Sequence, residues 1–246
     1  MKLTGEIMKT TTKEKMLIIG GSSGMGLATA KLAYENNYDV IIASRSIEKL
    51  NQAKQDMFME DVKIVTVDIR DENSIQALFQ SVGKVHHLVI SGSEIKYGNI
   101  HNTPVDEAKA SFDSKFFGPF RLIQQALNFL EVNGSITLFS GTSGTKPEKG
   151  SEILSAINAA VDSFARALAI SLAPIRVNSI APGIIDTPAY DGIDEETKKY
   201  FKQFTDKLLV KRMGQANEVA RAALYLVENA YVTGTTLYID GGHVIS

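Results

Sequence analysis

The sequence predicts an α/β protein, a parallel sheet doubly wound with helices on both faces. Three observations predict it. From Met16 onward, short runs rich in Val and Ile alternate with longer amphipathic stretches, the rhythm of strands covered by helices on both sides. A glycine-rich turn stands between the first run and the first amphipathic stretch. No low-complexity linker, composition break or internal repeat divides the 246 residues, a length that suits one large domain at roughly 150 residues per domain.

The strand candidates are 16–19, 39–43, 62–67, 87–90, 135–139, 176–180 and 236–239, each a short apolar run bounded by polar or turn residues. Between them, 25–36, 47–59, 73–82, 105–130, 152–172, 195–208 and 217–227 carry apolar residues at three- and four-residue spacing, which puts one stripe of each helix on the sheet. Pro119 falls inside the fourth of these; the other prolines lie at turns or element ends. In 152–172, Ile153, Ile157, Ala160, Phe164, Leu168 and Leu172 share a broad face, with Ala156, Ala159, Ala165, Ala167 and Ala169 spread around it. Small residues over several turns admit a close second helix, of this domain or of another subunit. Residues 1–14 are expected to form a loose arm, with Met8 a second candidate start, and 15–246 the single domain.

Composition excludes several classes of function. Lys and Arg total 26 and Asp and Glu 28, for a net charge of −2, so no strongly basic surface recruits nucleic acid. There are no cysteines and four scattered histidines, which removes disulfides and thiolate chemistry and leaves no expected metal site. The polar first fifteen residues lack the apolar core of a signal peptide. No apolar run approaches the about 18 residues that span a bilayer, so no membrane partner is expected and the localisation is expected to be cytoplasmic.

Leu17-Ile18-Ile19 leads into Gly20-Gly21-Ser22-Ser23-Gly24-Met25-Gly26 and then a helical pattern. Residues without a Cβ let the chain turn sharply beside a pyrophosphate, and N–H groups at the helix N-terminus stabilise the anion. Gly20, Ser22, Ser23, Gly24, Met25 and Gly26 are therefore candidate cofactor contacts, although a tight turn alone would use the same residues. The second strand ends in Ser44-Arg45-Ser46, nineteen residues beyond Gly26, where an acidic residue would hold the ribose hydroxyls of NAD. A guanidinium flanked by hydroxyls suits a 2′-phosphate, so NADP(H) is expected in preference to NAD(H). Asp68, followed by Ile69, is a candidate acceptor for the adenine amino group or a cap of the next helix.

Gly20-x3-Gly24-x-Gly26, Val67-Asp68-Ile69, Arg176-Val177-Asn178-Ser179-Ile180-Ala181-Pro182-Gly183, Lys211-Arg212-Met213-Gly214 and Thr233-Gly234-Thr235-Thr236-Leu237-Tyr238-Ile239-Asp240-Gly241-Gly242 together strongly resemble the short-chain dehydrogenase/reductase family. The resemblance runs from about Met16 to Gly242. It implies a three-layer Rossmann fold with a seven-stranded parallel sheet. It also implies cofactor contacts at Ser91, Gly92 and Ser93 after the fourth strand, at Asn158, at Pro182, Gly183 and Ile185, and from the Thr187 hydroxyl. A homodimer or homotetramer built on helices 105–130 and 152–172 is implied as well.

The family's acid/base machinery is a Tyr, a Lys four residues later, a Ser and an Asn. Here those places fall on Leu154, Asn158, Gly141 and Lys115. Leucine neither donates nor accepts a proton, so a carbonyl reduction needs another acid. Candidate catalytic substitutes are Lys115, as a desolvated acid or base, and Ser140 and Thr142, as hydroxyl donors to a substrate oxygen. Tyr97 and Tyr190 lie on loops that border the family's substrate pocket. Each has a plainer alternative: a surface or salt-bridged lysine, strand-end turn residues, loop aromatics packed on the core. His87 is expected to be a satisfied residue at a strand start, and no histidine is expected to be catalytic. The expected function is an NADP(H)-dependent oxidoreductase reducing a carbonyl or activated double bond on a small, fairly apolar substrate. The alternative is a catalytically inactive NADP(H)-binding sensor or regulatory subunit, and a weaker one a structural partner that binds no nucleotide.

Overall fold

The computed structural model describes residues 13–56, 60–95, 98–190, 192 and 194–246. In chain order it runs β1 (Lys15–Ile19), α1 (Gly24–Glu35), β2 (Asp39–Ser44), α2 (Ile47–Asp56), β3 (Lys63–Thr66), α3 (Glu72–Val82), β4 (Val85–Ile90) and α4 (Val105–Phe112). Then come α5 (Gly118–Ala126), β5 (Leu130–Phe139), α6 (Glu152–Ser171), β6 (Arg176–Pro182), β7 (Ile185–Asp186), α7 (Glu195–Thr205), β8 (Gly214–Gln215), α8 (Ala216–Glu228) and β9 (Thr236–Ile239). Seven strands form one parallel sheet in the order β3-β2-β1-β4-β5-β6-β9, while β7 and β8 make a separate two-residue ladder.

The strands are nearly continuous apolar runs because both faces of the sheet are covered. Along β1, Leu17 and Ile19 enter a core with α3, α5 and α6, and Met16 and Ile18 enter the opposite core with α1, α2 and α8. Each successive side chain points to the other face, so one run builds both cores. The three-layer, single-domain architecture expected from the sequence is the one observed.

Two expected elements are corrected. The stretch 105–130 is not one helix: α4 passes through a π-turn, Asp113–Phe117, into α5, which ends at Ala126, and Leu130 already belongs to β5. Pro119 has no N–H to donate and its ring crowds the carbonyl four residues back, that of Lys115. The helix widens there, and the Gly118 N–H bonds the Asp113 carbonyl five residues away. Strand β5 is longer than expected because Leu130 pairs with Val85 before Glu131–Gly134 bulge out, with regular pairing resuming at Ser135 opposite His87. Leu127, Phe129 and Leu130 had continued the helical spacing by coincidence. Expected helix residues 57–59 lie outside the described residues, as do 1–12 of the expected arm; Glu14 is tied down, its carbonyl accepting the Asp39 N–H at 2.9 Å.

Helix α6 is long and apolar enough to cross a membrane by length and composition, with a mean hydropathy of 1.4, unlike the sequence expectation that no stretch comes near. It packs instead in a helix layer, burying Ile157, Val161 and Ala165 together with Asp162.

Candidate cofactor and catalytic site

The turn after β1 closes on itself. A Cβ at Gly20, whose φ is +79°, would overlap the Gly92 backbone, and one at Gly26 would overlap the Gly20 carbonyl and the Ser91 hydroxyl. The turn thus needs small residues on both sides, and Ser91-Gly92 after β4 supplies the second side. Ser91 also donates its hydroxyl to the Ile19 carbonyl at 3.1 Å. At the entrance of α1, Ser23 is the capping residue, yet among the described residues no side chain caps the helix, and its first turn holds no acidic residue. Its N-terminal N–H groups and positive dipole end therefore have neither a capping side chain nor a first-turn carboxylate among the described residues. Thr187, beyond β6, stands against this entrance, with its Cβ 3.6 Å from where a Gly24 Cβ would lie.

The other residues predicted from the sequence as cofactor contacts prove unequal. Arg45 is half-exposed and its Nη1 donates to Glu94 Oε2 at 2.8 Å. Ser44 reaches the Ser46 carbonyl at 3.4 Å, while the Ser46 hydroxyl accepts the Lys49 N–H and donates to Glu48, so it serves helix α2. Asp68 holds Arg70 through both carboxylate oxygens, at 3.0 and 2.7 Å, and this bond to Arg70 keeps its carboxyl below the ordinary value. Asp68 does not cap α3; Asp71 does, accepting from the Asn73 N–H at 2.9 Å. Ile69 packs on Gly118 at the π-turn. Ser93 is exposed beside Glu94. Pro182 closes β6, Gly183 donates to the Ile239 carbonyl, and Ile185 buries its side chain in the core and pairs with Gly214 in the short β7–β8 ladder. Ser22 and Met25 are half-buried on the turn.

The π-turn, the end of β5 and the first turns of α6 bring together a second group of sequence-predicted residues. The π-turn directs Lys115 under β5, where its Nζ donates to the Ser140 carbonyl at 2.9 Å. The ammonium is enclosed even though the stem is partly exposed. Burial lowers its pKa from 10.5 to about 8, against a smaller raising effect of the Asp162 carboxylate. Asp162 in turn accepts the Ser179 hydroxyl at 2.7 Å.

Ser140 differs from the expectation of a hydroxyl donor to substrate: its buried hydroxyl donates to the Ile180 carbonyl at 3.2 Å, and its carbonyl is the group that meets Lys115. Asn158 is 2 % exposed. Its Nδ2 donates to Ser143 Oγ at 2.8 Å, and its Oδ1 is buried without a hydrogen-bond partner among the described residues. A Cβ at Gly141 would stand 2.7 Å from that Nδ2, so the amide fills the space a larger residue 141 would need. Leu154 lies one turn earlier on α6, partly exposed.

Thr142 leads to a residue that the sequence did not flag. Its Oγ1 lies 3.2 Å from Nδ1 of His243, whose Nε2 lies 3.2 Å from Glu148 and whose ring packs 4.6 Å from that of Phe204. The buried His243 thereby joins the loop after β5, the C-terminal segment and α7. Thr142 and His243 are 101 positions apart, and no local pattern announces such a contact. His87 is satisfied by Ser135 at 2.9 Å and Glu14 at 3.1 Å. Tyr190 packs on Phe201, with ring centroids 4.7 Å apart, and Tyr97 lies outside the described residues. Among the described residues no group of three or more His, Asp or Glu converges on a metal position.

A doubly wound parallel sheet with a glycine-lined crevice where its strand order reverses, between β1 and β4, defines a dinucleotide-binding type of α/β protein. Residues 20–243 match the family model described as enoyl-(acyl carrier protein) reductase. The chain belongs to the short-chain dehydrogenase/reductase family. It is 32% identical to the short-chain dehydrogenase/reductase ATR9 of Stachybotrys chlorohalonatus, covering 96% of this chain and 98% of that one. It is 30% identical to 3-oxoacyl-acyl-carrier-protein reductase of Bos taurus over 92% of this chain and 95% of that one. Among solved structures, a small-chain dehydrogenase in complex with NADPH shares 31% identity with a TM-score of 0.81, over 96% of this chain and all of that one.

Proposed function

We propose that the chain is an NADP(H)-dependent reductase acting on a carbonyl or activated double bond of a small, fairly apolar substrate, with proton transfer rebuilt around Lys115. The relatives named as reductases and the similar structure titled as an NADPH complex support this over a nucleotide sensor. The crevice fits the cofactor on its own terms. The α1 entrance has N–H groups for a pyrophosphate, and Arg45 stands at the adenosine end. The unpartnered Asn158 Oδ1 is an acceptor awaiting a hydroxyl, a state that costs roughly 1–3 kcal/mol until satisfied. Gly20, Ser22, Ser23, Gly24 and Gly26 would hold the phosphates, Arg45 the 2′-phosphate, and Thr187 and Asn158 the nicotinamide half.

When bound, the reduced nicotinamide supplies a hydride. The protein then has to deliver a proton, and the observation that carries the proposal is the Lys115 ammonium enclosed at the end of β5. With a pKa of about 8, its Nζ holds a proton at neutral pH and releases it more readily than an ordinary lysine. The Ser140 carbonyl accepts one of its N–H groups and so orients the other two, and Asp162 favours the return of the proton. Leu154 contributes apolar surface rather than a proton. The resemblance further implies assembly of two or four copies through the α4–α6 face.

The test is a calorimetric titration with NADPH and NADH, followed by NADPH oxidation against aldehydes, ketones, quinones and enones. Tight NADPH binding with turnover that falls at least about 100-fold in Lys115→Met, as expected for loss of a positioned acid, is the expected result. Binding without turnover on any acceptor would overturn the enzyme in favour of the sensor.

A further inference from the structure

Four charged side chains alternate in sign at the carboxyl ends of β2, β3 and β4. Arg45 bonds Glu94 at 2.8 Å and Arg70 bonds Asp68 at 2.7 Å. Arg45 also acts on Asp68, and Glu94 on Arg70, through space. Strand β1 lies between β2 and β4. An ion pair joining the residue after β2 to the loop after β4 therefore crosses the crevice above the glycine turn. The Glu94 backbone is fixed independently of this pair, its N–H donating to Ser114 Oγ in the π-turn at 2.7 Å. The carboxylate is thus held on the rim by its own loop and not merely drawn there by Arg45.

A 2′-phosphate takes an Arg fork through two oxygens. Glu94 already occupies one nitrogen of that fork, and its charge has the same sign as the phosphate. A ribose 2′-hydroxyl makes no such demand, because it can donate to the carboxylate. We propose that Glu94 is a specificity-determining residue that competes with the 2′-phosphate for Arg45 and so narrows the preference for NADP(H) over NAD(H). Arg70, within electrostatic reach of Glu94, is the cation that receives the carboxylate when phosphate displaces it. The inference rests on the proposed use of this crevice for NADP(H).

The experiment measures dissociation constants of the full chain for NADPH, NADH and 2′,5′-ADP by calorimetry, in the wild type, Glu94→Gln, Arg45→Gln and the double variant. Both side chains are more than half exposed, so the variants keep the fold. Glu94→Gln is expected to tighten NADPH and 2′,5′-ADP about three- to fivefold, the worth of an exposed ion pair, and to leave NADH within about twofold. In the Arg45→Gln background the gain should vanish, as a coupled pair requires. An unchanged NADPH to NADH ratio in Glu94→Gln, with the wild type binding both, would overturn the role of Glu94 alone. A wild type that binds neither NADPH nor 2′,5′-ADP would overturn it together with the cofactor assignment.

Discussion

Lys115 shows how the burial of one side chain ties its protonation to stability. In the folded protein its pKa is about 8 against 10.5 for an ordinary lysine. Between those values the unfolded chain binds a proton that the folded protein lacks, so stability rises with pH across that window. Below about pH 8 both states are protonated and the full cost of the buried charge is present, at most about 3.5 kcal/mol at about 1.4 kcal/mol per pH unit. Set against about 1–2 kcal/mol for the Ser140 carbonyl left without its donor, Lys115→Met should raise the melting temperature at pH 7 by about 5 °C, a gain that shrinks towards pH 10. Thermal denaturation at the two pH values checks this, and equal shifts at both would mean the ammonium is solvated in the fold. At this scale the site was half legible. Position 115 was visible because flanking Phe112-Asp113 and Gly118 register it. Gly141 and Asn158 were visible as positions, but their mutual exclusion was not, because it depends on an amide and a missing Cβ meeting across 17 residues. Arg45 was visible without Glu94, and Thr142 without His243, since each partner comes from a distant loop.

Among the elements, β6 and α8 are joined by a residue that the sequence offered only as part of a motif. The Arg176 guanidinium, almost wholly buried, donates to the Leu226 carbonyl at 2.5 Å, to Val227 at 2.6 Å and to Val232 at 3.3 Å. The last carbonyls of a helix have no partner within it, and here a strand residue supplies three donors to the end of α8 and the loop beyond. Burial pushes the Arg176 pKa down, a cost offset because the charge sits at the negative end of the helix dipole. Arg176→Leu leaves those carbonyls buried and unpaired, with an expected loss of about 3 kcal/mol. Denaturant unfolding measures it, and a loss below about 1 kcal/mol would mean that water reaches α8. Most elements were legible because their apolar period matched the layer they pack in. The π-turn and the β5 bulge were not, since apolar spacing continues through both and only Pro119 and Gly134 mark where the backbone departs. A Cβ at Gly134 would overlap the His86 carbonyl, a contact that no local pattern encodes.

For the whole molecule, the parallel sheet places the loops after β1, β2, β4 and β5, which hold the candidate site residues, at the carboxyl ends of its strands, away from the outer face of α5 and α6. That face is apolar. Phe117, Phe120 and Ile170 are 47%, 42% and 82% exposed, and the Phe116, Phe117, Phe120 and Phe164 rings form a continuous cluster with centroids 5.3 to 5.8 Å apart. Exposed aromatic surface of this kind on one helix pair is a candidate interface, which a two-fold assembly would cover with the same face of another copy. Of the two roles left open for α6, the core role is the one observed, with Ile157, Val161 and Ala165 buried; Ile170 is exposed, and the small residues of the helix would allow the close approach that packing on another copy needs. Phe120→Asp puts a charge in the middle of the cluster without touching the cores. Light scattering coupled to size exclusion should report a dimer or tetramer for the wild type and a shift to monomer for this variant at micromolar concentration, with the melting temperature of the monomer lowered because association stabilises the folded state by mass action. A wild type that elutes as a monomer would assign the cluster to some other surface contact and leave the crevice, built wholly within one chain, unaffected.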